Sequence, residues 1–212
     1  RTLDVLYPPK RPRGAPPDPL LVIKQLSVDR GSVEASLEIR LGEVLGIGGM
    51  IGSGRTELFE GLMGLRHAEA GHIEFNGRAV KHRSVKAWRD LGLVYLTEDR
   101  KGKGLLLEDP LASNVTLQAL DQLQSQLVLD HEKDNQALEQ AVRDYDIRVR
   151  TLRSVAGQLS GGNQQKLLLA KVMMTNPSVV IIDEPTRGID IGNKGQIYEF
   201  IDQLVRANKA CV

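Results

Sequence analysis

The sequence predicts an α/β fold, with a mostly parallel core sheet and ligand-binding turns at the strand ends. Two strings carry that prediction. In Gly49-Met50-Ile51-Gly52-Ser53-Gly54-Arg55-Thr56 a glycine-rich loop joins an apolar segment, residues 43–47, to a helical pattern. In Val179-Val180-Ile181-Ile182-Asp183-Glu184-Pro185 four apolar residues run straight into two carboxylates. A short continuous apolar run reads as a buried strand, and α/β sheets bind ligands beyond the carboxyl ends of their strands. About twenty residues before the second string lies Leu159-Ser160-Gly161-Gly162-Asn163-Gln164-Gln165-Lys166, a Ser-Gly-Gly turn opening a helix.

Residues 1–20 hold six of the nine prolines, with Lys10, Arg11 and Arg13 among them. That composition predicts a stiff, solvated linker. A β-rich section follows. Val33, Ala35, Leu37, Ile39 and Leu41 alternate strictly with other residues, the period of a half-buried strand. Residues 43–47 predict a buried strand leading into the glycine loop, after which Leu58, Phe59, Leu62 and Met63 share one helical face. Residues 73–80 predict a hairpin turning at Asn76-Gly77, the favoured two-residue turn. From about residue 105 to 156 the pattern is helical: Asn114 or Ser113 is a candidate cap, and Ala137, Leu138, Ala141, Val142 and Tyr145 mark a second helix. Ile197, Phe200, Ile201, Leu204 and Val205 predict an amphipathic helix, with a further strand beginning after Asn208.

Bulk properties narrow the function. A net charge of +1 over 212 residues, with no long basic run, gives no electrostatic case for nucleic acid. One cysteine, Cys211, excludes an internal disulfide and suits a reducing compartment. No apolar run is long enough to span a bilayer, so a membrane role requires a partner. His67, His72, His82 and His131 have no second His or Cys at metal-ligand spacing and read as surface or turn residues.

Phosphate chemistry explains the turns. The glycines let successive N–H groups wrap an anion, and the helix N-terminus adds partial positive charge. Thr56 supplies a hydroxyl for a magnesium ion. Arg55 occupies the position where the phosphate-loop pattern has lysine; a planar fork keeps the charge but does not reproduce a compact ammonium. The Ser160 turn aims N–H groups and a hydroxyl at a second anion, and a glycine-flanked serine there suits contact better than nucleophilic attack.

The order of these parts resembles the nucleotide-binding domain of an ABC transporter. More narrowly it resembles the second of two fused cassettes in sugar importers of the ribose, galactose and xylose type, from about residue 20 to the end. The strings that carry this are IGSGRTEL, Tyr95-Leu96-Thr97-Glu98-Asp99-Arg100-Lys101, LSGGNQQK and DEPTRGID. The resemblance implies a phosphate-loop NTPase of ABC type, with an antiparallel β subdomain and an inserted helical subdomain at roughly 105–156, within an ATPase domain at 21–212. It implies that Gly49, Gly52, Ser53, Gly54, Arg55 and Thr56 bind ATP, that Thr56 and Asp183 hold Mg²⁺, and that Glu184 polarises the attacking water. Ser160, Gly161, Gly162 and Asn163 would then face the ATP of a partner cassette. Glu98 stands where the family usually has a glutamine, and Asp190 matches the loop that crosses between cassettes. The implied partners are a second cassette fused N-terminally, membrane permease subunits and, indirectly, a periplasmic sugar-binding protein. The implied location is the cytoplasmic face of a bacterial inner membrane, and further strands with a switch histidine are expected after Val212.

Two function classes follow, with a third behind them. Glu184 favours an ATPase whose site is completed by a partner. Arg55, Glu98 and the lack of any aromatic between Tyr7 and Phe59 on which adenine could stack favour a nucleotide-gated module that completes the partner's site. An asymmetric pair combines the two. A non-transport ABC ATPase is the rival from another class, disfavoured by the absence of long heptad insertions and of a basic stripe.

Overall fold

The computed structural model describes residues 17–29, 33–120, 124–125, 128–187 and 191–212. The chain forms two compact units. One comprises the described residues up to Tyr95 with Pro177–Asp183 and Lys194–Val212; the other comprises Leu96–Asn176 with Glu184–Asn193.

The first unit contains an antiparallel sheet built from β1 (Leu21–Val28), β2 (Val33–Ile39), β3 (Ala68–Phe75) and β4 (Arg78–Ala79), in the order β2-β1-β3-β4. β2 has the expected alternation, its odd-numbered residues more buried than the even-numbered ones. β1 was harder to see, because its apolar residues Leu21, Ile23, Leu26 and Val28 break period two between Ile23 and Leu26. A β-bulge absorbs the break: the register shifts there, Gln25 takes a left-handed φ of 54°, and its N–H donates to Ser36 Oγ at 2.9 Å. All four apolar side chains are thereby buried on the same face. The β3–β4 hairpin turns at Asn76 and Gly77, with φ values of 52° and 71°, as a two-residue hairpin loop requires.

Helix α1 (Arg55–Leu62) buries Leu58, Phe59 and Leu62 in a core shared with this sheet, and Met63 follows them. Each such side chain contributes about 1.5–3 kcal/mol. Helix α2 (Val85–Leu91), capped by Ser84 Oγ accepting from the Ala87 N–H, brings in the one tryptophan. Trp88 is fully buried, stands edge-on to Phe75 with centroids 6.1 Å apart, and donates from Nε1 to the Leu62 carbonyl at 2.7 Å.

The same unit holds strands of a second sheet, order β5-β8-β9: β5 (Leu93–Leu96), β8 (Val179–Ile182) and β9 (Ala210–Cys211). β8 is buried along its whole length and pairs in parallel with β9, as its unbroken apolar run predicts. Residues 43–47 depart from expectation. They form one parallel bridge, Val44 to Cys211, with Leu45 N–H donating to the Cys211 carbonyl and Cys211 N–H to the Glu43 carbonyl. Val44 is 45% exposed.

The second unit is mainly helical: α3 (Leu111–Thr116), α4 (His131–Asp144) and α5 (Gly161–Met173), with α3 packed on both others. A two-stranded antiparallel pair, β6 (Gln124–Ser125) and β7 (Val128–Leu129), interrupts the stretch read as helical. Asn114 does not cap a helix. It lies inside α3, fully buried, where its amide accepts from Leu106 N–H and donates to the Leu106 and Pro110 carbonyls. A buried amide bracing a loop satisfies more backbone than a cap does, which is why the cap lost. Helix α6 (Ile191–Arg206) begins in this unit and continues in the first, burying Ile197, Phe200 and Leu204 as the pattern predicts.

Candidate functional site

The glycine loop ends at the start of α1. Gly52 and Gly54 have φ values of 80° and 86°, a region that side chains disfavour, and a Cβ on Gly54 would collide with Val33. A Cβ on Gly49 would collide with Ser53. Ser53 N–H closes the loop on the Met50 carbonyl at 3.0 Å, leaving Met50 and Ile51 exposed at its tip. Helices α2, α4 and α5 start from side-chain caps at Ser84, Asp130 and Ser160, but α1 starts from Gly54 with no side-chain cap. A helix N-terminus opened by a glycine lets an anion approach its backbone closely, the arrangement that suits phosphate.

One residue into that helix, Thr56 Oγ1 donates to Asp183 Oδ2 at 2.6 Å. The Tyr95 hydroxyl donates to the same oxygen at 3.0 Å. Asp183 is 7% exposed at the end of β8, so a buried carboxylate is held by two hydroxyls that converge on one oxygen. The sequence brings together helix start and strand end, 127 residues apart, through this contact. Tyr95 was visible only as part of a family string; its position at the end of β5, level with Asp183, is what gives it a role.

A hard divalent ion fits these donors. Mg²⁺ takes oxygen ligands and is commonly held by one or two carboxylates plus substrate phosphates. Among the described residues no three His, Cys, Asp or Glu cluster around a possible ion, so a cage made of protein alone is not the arrangement here.

Glu184, in the second unit, follows directly. Its φ of 43° is left-handed, a conformation that stores about 1–3 kcal/mol in a non-glycine residue. The N–H of Arg187 donates to the Glu184 carbonyl at 3.0 Å, closing a turn over 184–187. The Arg187 guanidinium reaches Glu98 Oε2 at 2.6 Å. Glu98 thus carries its charge beside a cation. Asp190 lies outside the described residues.

The Ser-Gly-Gly turn is the start of α5, as its residues predict. Ser160 caps the helix, its Oγ accepting from Asn163 N–H at 3.4 Å and Nδ2 at 3.1 Å. Acceptance there leaves the hydroxyl proton available to donate elsewhere. Asn163 Oδ1 accepts from Arg148 N–H at 3.0 Å, and Lys166 Nζ donates to the Asp146 carbonyl at 2.7 Å and carboxylate at 2.9 Å, so the 146–148 segment is tied to the helix. The Lys166 bond holds the Asp146 carboxyl below its ordinary value. Arg100 was not singled out by the sequence reading. Its Nη1 donates to Gln165 Oε1 at 3.3 Å, its Nη2 lies 3.4 Å from where a Gly161 Cβ would stand, and burial lowers its pKa. Two of the histidines lie beside carboxylates: His72 pairs with Glu74 at 2.6 Å and His67 lies 3.8 Å from Glu69.

Comparison with known proteins agrees with this geometry. The profile of the ABC transporter family matches residues 33–187. A ribose import ATP-binding protein of Rhizobium meliloti (strain 1021) is 38% identical over 98% of this chain and 40% of its own length. A xylose import ATP-binding protein of Geobacillus kaustophilus (strain HTA426) is 38% identical over 96% of this chain and 42% of its own length. The chain therefore spans about two fifths of the curated relatives it matches. The crystal structure of a nucleotide-free ATP-binding cassette from an ABC transporter superposes over 91% of this chain and 79% of that one, with a TM-score of 0.72 at 18% identity, a likeness of fold. Profile, relatives and the joined glycine loop and carboxylate strand lead to one conclusion: the chain belongs to the ABC transporter family.

Proposed function

We propose that this chain is an ATP-binding and ATP-hydrolysing cassette of a sugar importer, the second of an asymmetric pair. The observation that carries the reading is the Thr56–Asp183 bond, which places a loop-helix hydroxyl on a buried strand-end carboxylate. The relatives named for ribose and xylose import support the sugar class.

In this reading the backbone N–H groups of Gly52, Ser53 and Gly54, with Gly49 shaping the loop and the Arg55 charge beside it, hold the phosphates. Thr56 and Asp183 would hold Mg²⁺, which when bound neutralises charge on the β- and γ-phosphates. Glu184 orients and polarises the attacking water, taking its proton as the γ-phosphoryl leaves. The Ser160 hydroxyl with the N–H groups of Gly161 and Gly162, flanked by Asn163, grips the γ-phosphate bound to the partner cassette. Asp190 lies in the segment that would communicate with that partner. The helical segment at roughly 105–156 docks on permease subunits, Glu98 senses that contact, and a periplasmic binding protein delivers the sugar. Residues 1–20 link to the preceding cassette, and the chain works at the cytoplasmic face of the inner membrane. No helix among the described residues is long and apolar enough to cross a membrane, which fits a peripheral subunit.

Arg55 favours a second reading, in which this site binds ATP without turning it over and serves the partner's site. Steady-state phosphate release by the intact assembly separates the two. Glu184→Gln reduces turnover under the first reading, less than the equivalent change in the partner cassette, and Arg55→Lys raises it. Unchanged release in both variants would favour the second.

A further inference from the structure

We infer that Arg187 is a positioning residue for the Glu184 carboxylate, an inference that rests on the hydrolytic role proposed for Glu184 above. Glu184 has a left-handed backbone, and a non-glycine residue stays there only when its surroundings over-determine it. Arg187 supplies that constraint twice. Its N–H closes the turn on the Glu184 carbonyl at 3.0 Å, and its guanidinium anchors the turn to Glu98 at 2.6 Å. The anchor is itself fixed. Next to Glu98, the Asp99 N–H donates to Thr97 Oγ1 at 3.2 Å, Asp99 Oδ1 accepts from Gly102 N–H at 2.9 Å, and the Asp99 carbonyl accepts from Lys103 and Gly104 N–H. A braced segment thus holds a strained turn through one residue's backbone and side chain. Glu98 gains a second purpose: its carboxylate, where the resemblance implies glutamine, is the counter-charge that Arg187 needs.

The direction of the Glu184 carboxylate depends on this turn, and a displacement of about 1 Å at a reacting group can cost about a hundredfold in rate. The test uses the intact assembly with the partner cassette's equivalent glutamate changed to glutamine, so that turnover reports this site. Arg187→Ala lowers kcat at least about tenfold while KM for ATP stays within about twofold, because the phosphate loop is untouched. Arg187→Lys recovers part of the loss, and Glu98→Ala adds little to Arg187→Ala, since both remove one interaction. Hydrogen exchange gives an independent readout: Glu98→Ala speeds exchange of the Arg187 amide, which donates to Glu184. An unchanged kcat in Arg187→Ala, a rise in KM alone, or an Arg187 amide protected as before in Glu98→Ala would each overturn the inference. Full turnover in Glu184→Gln would instead overturn the reading of Glu184 on which it rests.

Discussion

Gly161→Asp separates the chemistry of the signature turn from its structural role. Gly161 is exposed at the first position of α5, and a Cβ there meets only Arg100 Nη2, at 3.4 Å. No backbone obstructs the new side chain, and the glycine does not have a left-handed φ. Replacing glycine at a compatible position stabilises by about 0.4–1 kcal/mol through the unfolded chain. A carboxylate in the first turn adds about 0.3–1 kcal/mol from the helix dipole, before any contact with the partly buried Arg100 guanidinium is counted. The variant is therefore expected to be about 0.7–2 kcal/mol more stable than the parent, which at about 2–4 °C per kcal/mol is a rise of about 1–8 °C in Tm. Its carboxylate nevertheless occupies the place proposed for the partner's γ-phosphate and repels it. Thermal unfolding of the purified protein, paired with phosphate release by the intact assembly, is the assay. The expected result is a raised Tm with near-complete loss of turnover. Normal turnover would show that the turn faces no nucleotide, and a Tm lowered by several degrees would refute the packing argument.

Three further outcomes follow from the geometry. Thr56→Val removes a hydroxyl bonded to a carboxylate, an interaction worth about 1.5–3 kcal/mol, and should weaken binding of Mg-ATP at least about tenfold in calorimetry while leaving metal-free ATP binding nearly unchanged. Trp88→Phe removes the indole donor to Leu62 and leaves a void beside Phe75; a loss of about 2–4 kcal/mol is expected from urea unfolding. Burial pushes the Cys211 thiol up from 9.0 to about 12. The unfolded thiol then ionises first, so its effect is nil below about pH 9 and erodes stability as pH climbs from there toward 12. Cys211→Ala should flatten that part of the stability–pH curve, and the native thiol should resist alkylation at pH 8 until the protein unfolds.

The sequence disclosed most where one interaction decided the structure. Four consecutive apolar residues admitted only a buried strand at 179–182, Asn76-Gly77 admitted only a tight hairpin, and Ser160 before two glycines admitted a capped helix start. It disclosed less where tertiary partners chose. The bulge at Gln25 hid β1 from a period-two search, and Asn114 was drawn into a buried loop contact by carbonyls that no local pattern reveals. Residues 43–47 carry strand-like composition, yet they form a single parallel bridge, at Val44, because strand content depends on the pairing neighbour. At the site, a glycine loop running into a helix and a carboxylate following a buried strand were legible as local structure. Tyr95 on Asp183, Arg187 on Glu98 and Arg100 beneath Gly161 were not, because each joins segments distant in sequence through a side chain with many ordinary surface uses.

The central claim is that the glycine loop and Asp183 together form a Mg-ATP site. Calorimetric titration of the intact protein with ATP, in Mg²⁺ and then in chelator, tests it against Asp183→Asn. The account predicts saturable binding that Mg²⁺ strengthens in the parent and does not strengthen in Asp183→Asn. Equal Mg²⁺ dependence in both proteins, or no binding in the parent, would contradict it.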